Sequence, residues 1–481
     1  MKKLFTVLLL PILFASTIYA QDYKWFYEIH ERYKETALYN RFFTHNDIVP
    51  LIENIALHPD FEVNKEGYSV KGREIYLIKW GHGPKTIYMW TQMHGDEPTA
   101  TMAVFDIINF LKSGDHMEFK EQLAEEVTLL FLPFLNPDGA EVFKRRNALE
   151  VDLNRDAQRL QSPEAKILKG VRDRYQPDFG FNLHDQSLYY GAGHTGVPVA
   201  IAFLAPAYNQ EREVNEVRLN AMKLTAQLNE VVQEYLPGKV AKFGDAYEPR
   251  AFGDNMQAWG TSTILIEAGG LIDDPEKQYL RKLHFVMLMS AFVSIAEQEY
   301  LNFSRDAYEA IPPNRISIFD LLVEGGTVEF DDQEFILDLG FRNSGVFLGD
   351  QHGHPVVQSR LADIGDLSTF GYYRQFDASE FRIKHAQVYQ GVFNNLDQLL
   401  EEDWIALTRE GYGYFRLREL PDIELRSSLP FLLLSAEQSP ASFPRIGSDF
   451  ALLVKKEQEV RKIIANGRVH PLADFSNDKK E

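Results

Sequence analysis

Apolar and polar positions along the chain follow two repeating patterns. Runs rich in β-branched and aromatic residues, bounded by glycines, predict strands, and longer stretches with apolar positions at helical spacing predict helices. The run VTLLFLPFL at residues 127–135 is apolar throughout, which is typical of a strand buried on both faces of a sheet. The other predicted strands cover residues 74–79, 85–93, 179–183 and 262–266, and the predicted helices cover residues 21–62, 98–112, 162–175, 212–235 and 276–299.

Strands and helices alternate from residue 74 to residue 299, an order that predicts an α/β domain with a largely parallel sheet. Sheets of this kind bind ligands at the carboxyl ends of their strands. Polar residues follow predicted strands at four places, namely His94, Asn136, His184 and Glu267. We therefore expect a functional site at this edge of the sheet.

The character of the chain changes near residue 300. Ile311, Pro312 and Pro313 indicate a linker, and short alternating runs with many glycines follow, for example at residues 327–330 and 335–339. We predict a catalytic domain over residues 21–305, a smaller C-terminal β-rich domain over residues 306–473 with some helix near residues 395–400, and a tail over residues 474–481.

Residues 1–20, MKKLFTVLLLPILFASTIYA, have the pattern of a secretory signal peptide. Lys2 and Lys3 form a positive start, an apolar run follows, and Ala20 is the expected last residue removed. A permanent membrane anchor is disfavoured because a membrane-spanning helix needs about 20 apolar residues. We predict an exported protein, periplasmic or extracellular, without a membrane anchor after the signal is removed.

Composition limits the chemistry that the chain can perform. There are no cysteines, so thiol nucleophiles and thiolate metal sites are excluded, and any metal must be held by histidine and carboxylate. The net charge is −20, and loss of Lys2 and Lys3 with the signal makes it −22. This charge argues against nucleic acid and anionic membrane surfaces as partners.

The stretch TQMHGDEPTA at residues 91–100 places His94 and Glu97 directly after a predicted strand. Both side chains are metal ligands in proteins, and a catalytic zinc needs three protein ligands and one open position. His184 in FNLHDQ is the best third candidate because it also follows a short apolar strand. The alternatives are a polar turn that caps the helix beginning at Pro98, and a buried structural histidine at residue 184, one of 13 histidines in the chain.

The segment NPDGAEVFKRRNALEVDLNRD, residues 136–156, distinguishes these alternatives. Together with HGDE before it, and a lone strand-end histidine and strand-end glutamate after it, it resembles the zinc carboxypeptidase family, the carboxypeptidase A-like metallopeptidases. GYSVKGREI at residues 67–75 is also similar, and the resemblance covers roughly residues 45–299. It implies a mixed, largely parallel central sheet flanked by helices, and hydrolysis of the C-terminal peptide bond of a substrate with a free carboxylate.

The resemblance also implies roles for individual residues. His94, Glu97 and His184 match the ligands of one zinc ion, and Asp152 matches the carboxylate that orients a zinc-bound histidine. Arg145 matches the arginine that stabilises the oxyanion, with Arg146 as the alternative if the register slips by one. Asn154 and Arg155 match the pair that binds the substrate carboxylate, and Glu267 matches the general base.

Other positions stay open at the level of sequence. Family members carry a tyrosine that closes over the substrate, and Tyr247 is the nearest candidate, with Tyr189 and Tyr190 as alternatives. Asp254 either favours a basic substrate side chain in the specificity pocket or forms a structural pair with Arg250. The cluster in GDQHGHP, formed by Asp350, His352 and His354, is better explained as a polar turn than as a second metal site.

Three functions fit these observations. The first is an exported zinc carboxypeptidase. The second is a murein peptide amidase or N-acyl amino acid deacylase that uses the same zinc site, although the NPDG segment and Arg155 favour the peptidase. The third is a non-catalytic binding protein on a peptidase scaffold, which the complete set of ligands and base disfavours.

We expect the protein exported by a secreting host to begin at Gln21. Replacing Lys2 and Lys3 by glutamate should reduce export, because the positive start of the signal is lost. Intact-mass spectrometry of the secreted and retained fractions measures both results. A secreted chain that still carries residues 1–20 would contradict the signal-peptide prediction.

Overall fold

A computed structural model describes residues 23–330, 333–346, 356–440 and 445–475. The predicted signal peptide, the cluster of Asp350, His352 and His354, and residues 476–481 of the predicted tail lie outside the described residues. Expectations about those segments therefore stay predictions.

The first part of the chain, to residue 309, alternates helices and strands. Its strands are β1 Phe61–Tyr68, β2 Glu74–Trp80, β3 Lys85–Thr91, β4 Val127–Leu132, β5 Phe179–Asp185, β6 Tyr190–Ala192, β7 Ile201–Leu204, β8 Val240–Lys242 and β9 Ser262–Ala268. Its helices are α1 Tyr23–Ile29, α2 His45–Ala56, α3 Thr99–Lys112, α4 Met117–Glu126, α5 Pro137–Ala140, α6 Pro163–Tyr175, α7 Glu216–Tyr235, α8 Phe252–Ala258, α9 Gln278–Glu297 and α10 Arg305–Glu309. Short 3-10 turns cover His30–Arg32, Leu153–Arg155 and Glu299–Asn302.

Within the described residues, a central sheet of eight strands has the order β1-β2-β4-β3-β5-β9-β7-β8. Its middle strands β4, β3, β5 and β9 run parallel, whereas β1, β2 and β7 pair antiparallel with a neighbour. This confirms the predicted mixed, largely parallel sheet. The predicted helices at residues 98–112, 162–175 and 276–299 are confirmed to within two residues at each end.

Alternating side chains of the middle strands reach the two faces of the sheet. Ile87 and Met89 of β3 belong to one apolar cluster, which contains buried residues of α1, α3, α7 and α9. Tyr88 and Trp90 belong to another, which contains residues of α6 and α8. Helices thus cover both faces, which explains why these strands read as continuous apolar runs.

The prediction of one helical stretch over residues 21–62 is wrong. α1 ends at Ile29, α2 begins only at His45, and the strand β1 begins at Phe61. Thr44 and Asp47 form a capping box, in which each side chain satisfies a backbone N–H at the start of α2. The apolar positions of this segment pack as separate pieces against the same core, so their spacing imitated one long amphipathic helix.

Helix α9 is long and apolar enough to cross a membrane by length and composition alone. Most of it is buried inside the protein, and it packs against α1 and α3. Its apolar character is therefore that of a core helix surrounded by other elements.

From residue 314 onward the described chain is mostly strand. The strands are β10 Asn314–Ile316, β11 Ile318–Phe330, β12 Gln333–Val346, β13 Val356–Gly365, β14 Gly371–Asp377, β15 Arg382–His385, β16 Gln387–Phe393, β17 Tyr412–Leu417, β18 Leu432–Ser435, β19 Leu452–Lys456, β20 Glu459–Ala465 and β21 Arg468–Pro471, with helices α11 Leu396–Glu401, α12 Trp404–Glu410 and α13 Ile423–Ser428. The β-rich character and the helix near residues 395–400 are confirmed, while the domain limits stay predictions.

A buried ionic network joins the N-terminal segment to helices α3 and α9. The guanidinium of Arg281 donates two hydrogen bonds to Asp106, at 2.7 and 2.5 Å, and His30 Nε2 lies 2.8 Å from the same carboxylate. Arg281 also donates to the carbonyls of Leu38 and Glu35. The side chains of His30, Asp106 and Arg281 are fully buried, so the Arg281 guanidinium and the Asp106 carboxylate depend on each other to offset their loss of hydration.

We expect Arg281→Met to destabilise the protein by about 3–5 kcal/mol, because it leaves Asp106 buried without its main partner. The midpoint of urea denaturation, followed by circular dichroism, measures the change. Arg305→Met is the matched control, since Arg305 forms an exposed pair with Glu309 and its loss should change little. Equal losses in the two variants would contradict a special role for the buried network.

Candidate metal centre

His94, Glu97 and His184 bring their ligand atoms together at the carboxyl edge of the sheet. Nδ1 of His94 lies 2.9 Å from Glu97 Oε1, and Nδ1 of His184 lies 2.6 Å from Glu97 Oε2. The two Nδ1 atoms are 3.1 Å apart. All three side chains are buried, and their ligand atoms lie within 4.8 Å of one another, the arrangement of a metal-binding group.

Strand register places His184 beside Glu267. In the parallel pair β5–β9, His184 is directly opposite Glu267, and Asp185 is opposite Ala268. Opposed residues on neighbouring strands direct their side chains to the same face of a sheet. The β5–β9 pairing therefore places a candidate ligand and the candidate general base on the same face.

The loop of His94 and Glu97 packs on helix α5 without space for a side chain at Gly95. A Cβ atom at Gly95 would lie 2.1 Å from the Gly139 carbonyl carbon and 2.3 Å from the Ala140 nitrogen. Asn136 caps α5 by accepting from Gly139 N, and its Nδ2 donates to the carbonyls of Met93 and Arg145. The HGDE segment at residues 94–97 and the NPDG segment at residues 136–139 therefore pack directly against each other.

A carboxylate and a guanidinium surround the three ligand residues. Asp152 Oδ1 lies 3.1 Å from His94 Nε2, which leaves Nδ1 of that ring directed at the centre. Arg145 Nε donates to Asp152 Oδ2 at 3.1 Å, and Arg145 Nη1 lies 3.0 Å from His94 Nδ1 and 3.3 Å from Glu97 Oε1. A positive group therefore already contacts the atoms that would hold a cation.

The pKa values of these groups show how negative the centre is. Burial opposes protonation of His94, but Glu97 and Asp152 outweigh it and raise the pKa of His94 to about 9. Burial alone would raise the pKa of Glu97, yet the two histidines hold it well below its usual range. Burial lowers the pKa of His184. Two carboxylates around two imidazoles thus favour a positive charge at the centre.

The residues fit a catalytic zinc ion. Two histidines and a glutamate form a donor set that leaves a fourth position open, and Asp152 contacts Nε2 of His94 and so orients its ring. The Arg145 guanidinium contacts His94 Nδ1 and Glu97 Oε1, so a positive group lies against two atoms of this donor set. We therefore assign His94, Glu97 and His184 as the residues that would hold zinc.

A cavity of about 560 Å³ opens over the centre. Its lining includes the three ligand residues together with Arg145, Asn154, Arg155, Asp254 and Glu267. Burial raises the pKa of Glu267 to about 8, with a further contribution from the Glu97 carboxylate. Such a pKa lies near neutral pH, as expected for a group that accepts and then donates a proton.

Arg155 lies in the cavity but has a partner there. Its Nε is 3.3 Å from Glu248 Oε2, and its Nη1 donates to the Asn154 carbonyl at 2.7 Å. Glu248 also pairs with Arg250 at 3.0 Å. Asn154 is buried and accepts from Phe252 N, which fixes the turn that carries Arg155.

The structure distinguishes between the alternative arginines and the alternative tyrosines that the sequence left open. Arg145 lines the cavity, whereas Arg146 is exposed and donates to the Glu150 carbonyl, so the geometry favours Arg145. Ala246 and Glu248 line the cavity but Tyr247 between them is not among its described lining residues, and Tyr190 is. Tyr247 therefore has less geometric support than Tyr190 for contact with a substrate.

Asp254 lines the cavity, and burial raises its pKa to about 6. Its Oδ1 accepts from the backbone N of Glu248 at 2.9 Å. Arg250 contacts Glu248, so the structure does not show the Arg250–Asp254 pair that the sequence suggested.

Some lining residues were not predicted, namely Asp96, Gln186, Ser187 and Glu248. Asp96 is part of HGDE itself, and burial raises its pKa to about 6. Glu248 belongs to a loop without regular structure, and no spacing in the sequence connects it with Arg155. Asn147, in the R-x-N pattern, accepts from Leu149 N and Val151 N and therefore shapes the loop after α5.

Part of the chain is similar to known proteins. Residues 48–223 match the family model described as zinc carboxypeptidase, Peptidase_M14. "Probable carboxypeptidase 2" of Arthroderma benhamiae is 29% identical over 112 residues, which cover 23% of this chain and 20% of that protein. "Carboxypeptidase SOL1" of Arabidopsis thaliana is 32% identical over 126 residues, covering 22% of this chain and 26% of that protein. The matches thus span about a fifth to a quarter of these relatives.

Among solved structures, a metallo-carboxypeptidase from Burkholderia cenocepacia is similar, with 19% identity and a TM-score of 0.42 over 53% of this chain and 70% of that one. A metallo-carboxypeptidase from Pseudomonas aeruginosa is similar with 20% identity and a TM-score of 0.41 over 54% of this chain and 70% of that one.

We expect Asp152→Asn to weaken zinc binding about 10- to 100-fold, because the ring of His94 loses the carboxylate that orients it. Competition with a chromophoric chelator measures the zinc affinity. Asp173→Asn is the control, since Asp173 forms exposed pairs with Lys169 and Arg172. Unchanged affinity in Asp152→Asn would show that this carboxylate does not support the metal.

Proposed function

We propose that this chain, whose residues 48–223 belong to the zinc carboxypeptidase family, is a zinc-dependent carboxypeptidase that removes the C-terminal residue of a peptide. One observation carries the proposal, which is that His94, Glu97, His184, Glu267 and Arg155 all line the same cavity. A metal centre, a base and a carboxylate-binding group in one cavity supply what this hydrolysis needs.

The terminal carboxylate of the substrate binds at Arg155. The planar guanidinium can donate two parallel hydrogen bonds to a carboxylate, and Asn154 beside it fixes its position. Glu248 holds Arg155 in the absence of substrate, at 3.3 Å. The substrate carboxylate therefore either displaces Glu248 from the Arg155 guanidinium or binds beside Glu248 on the exposed part of that guanidinium.

Zinc on His94, Glu97 and His184 would supply a Lewis acid and lower the pKa of a water molecule toward about 7. Glu267 takes the proton from the attacking water and later gives it to the leaving amine. Its position opposite His184 in the β5–β9 register keeps this carboxylate beside the ligand residues throughout.

Arg145 stabilises the negative charge that develops on the carbonyl oxygen. Its guanidinium lies on His94 Nδ1 and Glu97 Oε1 in the structure. A cation held by those atoms would repel the guanidinium, because like charges at this distance are unfavourable. Arg145 is 43% exposed in its side chain, so it has space to turn toward a substrate carbonyl in the cavity.

We also propose that the protein acts outside the cytoplasm, on peptides rather than nucleic acid. The signal-like pattern of residues 1–20 and the net charge of −20 support this.

A peptide panel tests the proposed activity. We expect hydrolysis of peptides with a free C-terminal carboxylate and a loss of at least about 100-fold for the same peptides amidated, because Arg155 then has no carboxylate to bind. Chromatography with mass detection follows the released amino acid. Equal cleavage of amidated peptides would contradict the carboxypeptidase, and selective cleavage of a γ-D-glutamyl-diaminopimelate peptide would favour a murein peptide amidase.

Glu267→Gln is the matched control for this panel. It should lower kcat by about 10²- to 10⁴-fold, since the amide cannot accept a proton, while the zinc content stays at one ion per chain. Retained turnover in this variant would show that another group is the base. Loss of zinc together with activity would show that Glu267 supports the metal centre instead.

A further inference from the structure

One wall of the cavity belongs to a segment that leaves the sheet after the third ligand residue. Gln186, Ser187 and Tyr190 all line the cavity, and they follow His184 directly. Gln186 N donates to the carbonyl of Ala268, the residue after Glu267, at 2.9 Å. The ring of Tyr190 packs against Phe243, another lining residue. We call residues 186–190 the cleft wall.

The C-terminal β-rich region holds the backbone of this cleft wall. Strand β10 pairs antiparallel with β6, so that Ile316 is opposite Tyr190 and Asn314 is opposite Ala192. The Tyr189 carbonyl accepts from Ser317 N at 2.9 Å and from Ile318 N at 3.1 Å. Main-chain hydrogen bonds thus join the cleft wall to the first strands after the linker.

Side chains add to this attachment from several strands. The Tyr189 hydroxyl donates to Asp320 Oδ2 at 2.6 Å and accepts from Asn343 N at 2.8 Å. The Tyr373 hydroxyl donates to the Leu188 carbonyl at 2.8 Å, and Asn314 Nδ2 donates to Gln186 Oε1 at 2.6 Å.

The contact between the cleft wall and the C-terminal region is closely packed around Tyr189. The guanidinium of Arg342 lies 5.3 Å from the ring centre of Tyr189, and burial raises the pKa values of both Tyr189 and Tyr373. The backbone of Gly371 touches that of Gly196, where a Cβ atom on Gly371 would lie 1.9 Å from the Gly196 carbonyl oxygen. The C-terminal β-rich region therefore packs closely on the chain at Tyr189 and at Gly196.

We propose that the C-terminal β-rich region is part of the substrate site, because it holds the cleft wall in the position that contacts substrate residues on the amino side of the cleaved bond. Tyr189 and Tyr373 are the positioning residues that act through Gln186, Ser187 and Tyr190. This inference rests on the proposed function, since it assumes a peptide anchored at Arg155 and extending past Glu267 into the remaining part of the cavity.

Variants distinguish two roles for the contact between the C-terminal region and the cleft wall, namely stabilising the fold and positioning the wall for substrate. If the contact only stabilises the fold, weakening it lowers the stability of the protein and changes KM equally for all substrates. A wall that contacts the upstream residues changes KM for long peptides, and leaves short ones unchanged because they do not reach it.

The experiment compares Tyr373→Phe and Tyr189→Phe with Tyr372→Phe in the full-length zinc enzyme. Tyr372 is the neighbouring exposed tyrosine, and its hydroxyl donates to Gln375 on its own strand. For an N-acetyl tetrapeptide we expect KM to rise about 3- to 10-fold in the first two variants, the range for loss of one hydrogen bond. We expect kcat to stay the same, and neither constant to change for an N-acetyl dipeptide.

Hydrogen exchange gives a second readout that does not depend on activity. Amides of residues 186–198 should exchange faster in Tyr373→Phe than in Tyr372→Phe, while those of β3 and β9 keep their protection. If Tyr189→Phe does not fold, Tyr373→Phe still removes one bond to the wall and leaves Asp320 paired with Tyr189.

The outcomes separate the two proposals. Hydrolysis by the wild type, with equal KM changes for short and long peptides or with no change and no faster exchange, would overturn the inference while the proposed function stands. If the wild type hydrolyses neither peptide, the proposed function falls and the substrate role of the wall falls with it, whatever the exchange result.

Discussion

The contact between Gly95 and the backbone of Gly139 and Ala140 is the constraint on which the site depends. It brings the loop after β3 against helix α5 at a distance that no side chain permits. Asn136, at the start of α5, donates to the carbonyls of Met93 and Arg145 and so connects both segments. Asp138 in the same turn accepts from Ser69 and pairs with Arg73. His94, Glu97 and Arg145 are therefore positioned by a shared backbone contact, and the GYSVKGREI stretch supports it from outside.

Much of the fold and the site could be predicted because both depend on local signals. Strands buried on two faces read as apolar runs, and each polar residue just after such a run proved to lie at the same edge of the sheet. This pattern in the sequence predicts His94, Glu97, His184 and Glu267 as site residues. The family resemblance then related Arg145, Asp152 and Arg155 to them, and the structure places all three beside the same cavity.

The remaining features depend on contacts between distant parts of the chain, which spacing does not encode. The segment 21–62 was predicted as helical because three separate elements bury apolar residues in one core. Glu248 pairs with Arg155 because the two loops that carry them lie side by side in the fold. Neither loop has a periodic pattern of apolar residues that would predict this contact. Tyr190 lines the cavity, and a strand from the C-terminal region pairs with its segment. Tyr190 and Ile316 are far apart in sequence, so local sequence patterns do not predict that their strands pair.

The hydrogen bonds from Arg281 to the carbonyls of Leu38 and Glu35 join residues 243 and 246 positions apart in the chain. The core around α1 and α3 therefore cannot close until helix α9 has been synthesised. Until then Asp106 lacks its cation, and the apolar faces of α1 and α3 lack the helix that covers them. The pairing of Asp106 with Arg281 spans 175 positions of the chain, and contacts of such long sequence separation slow folding.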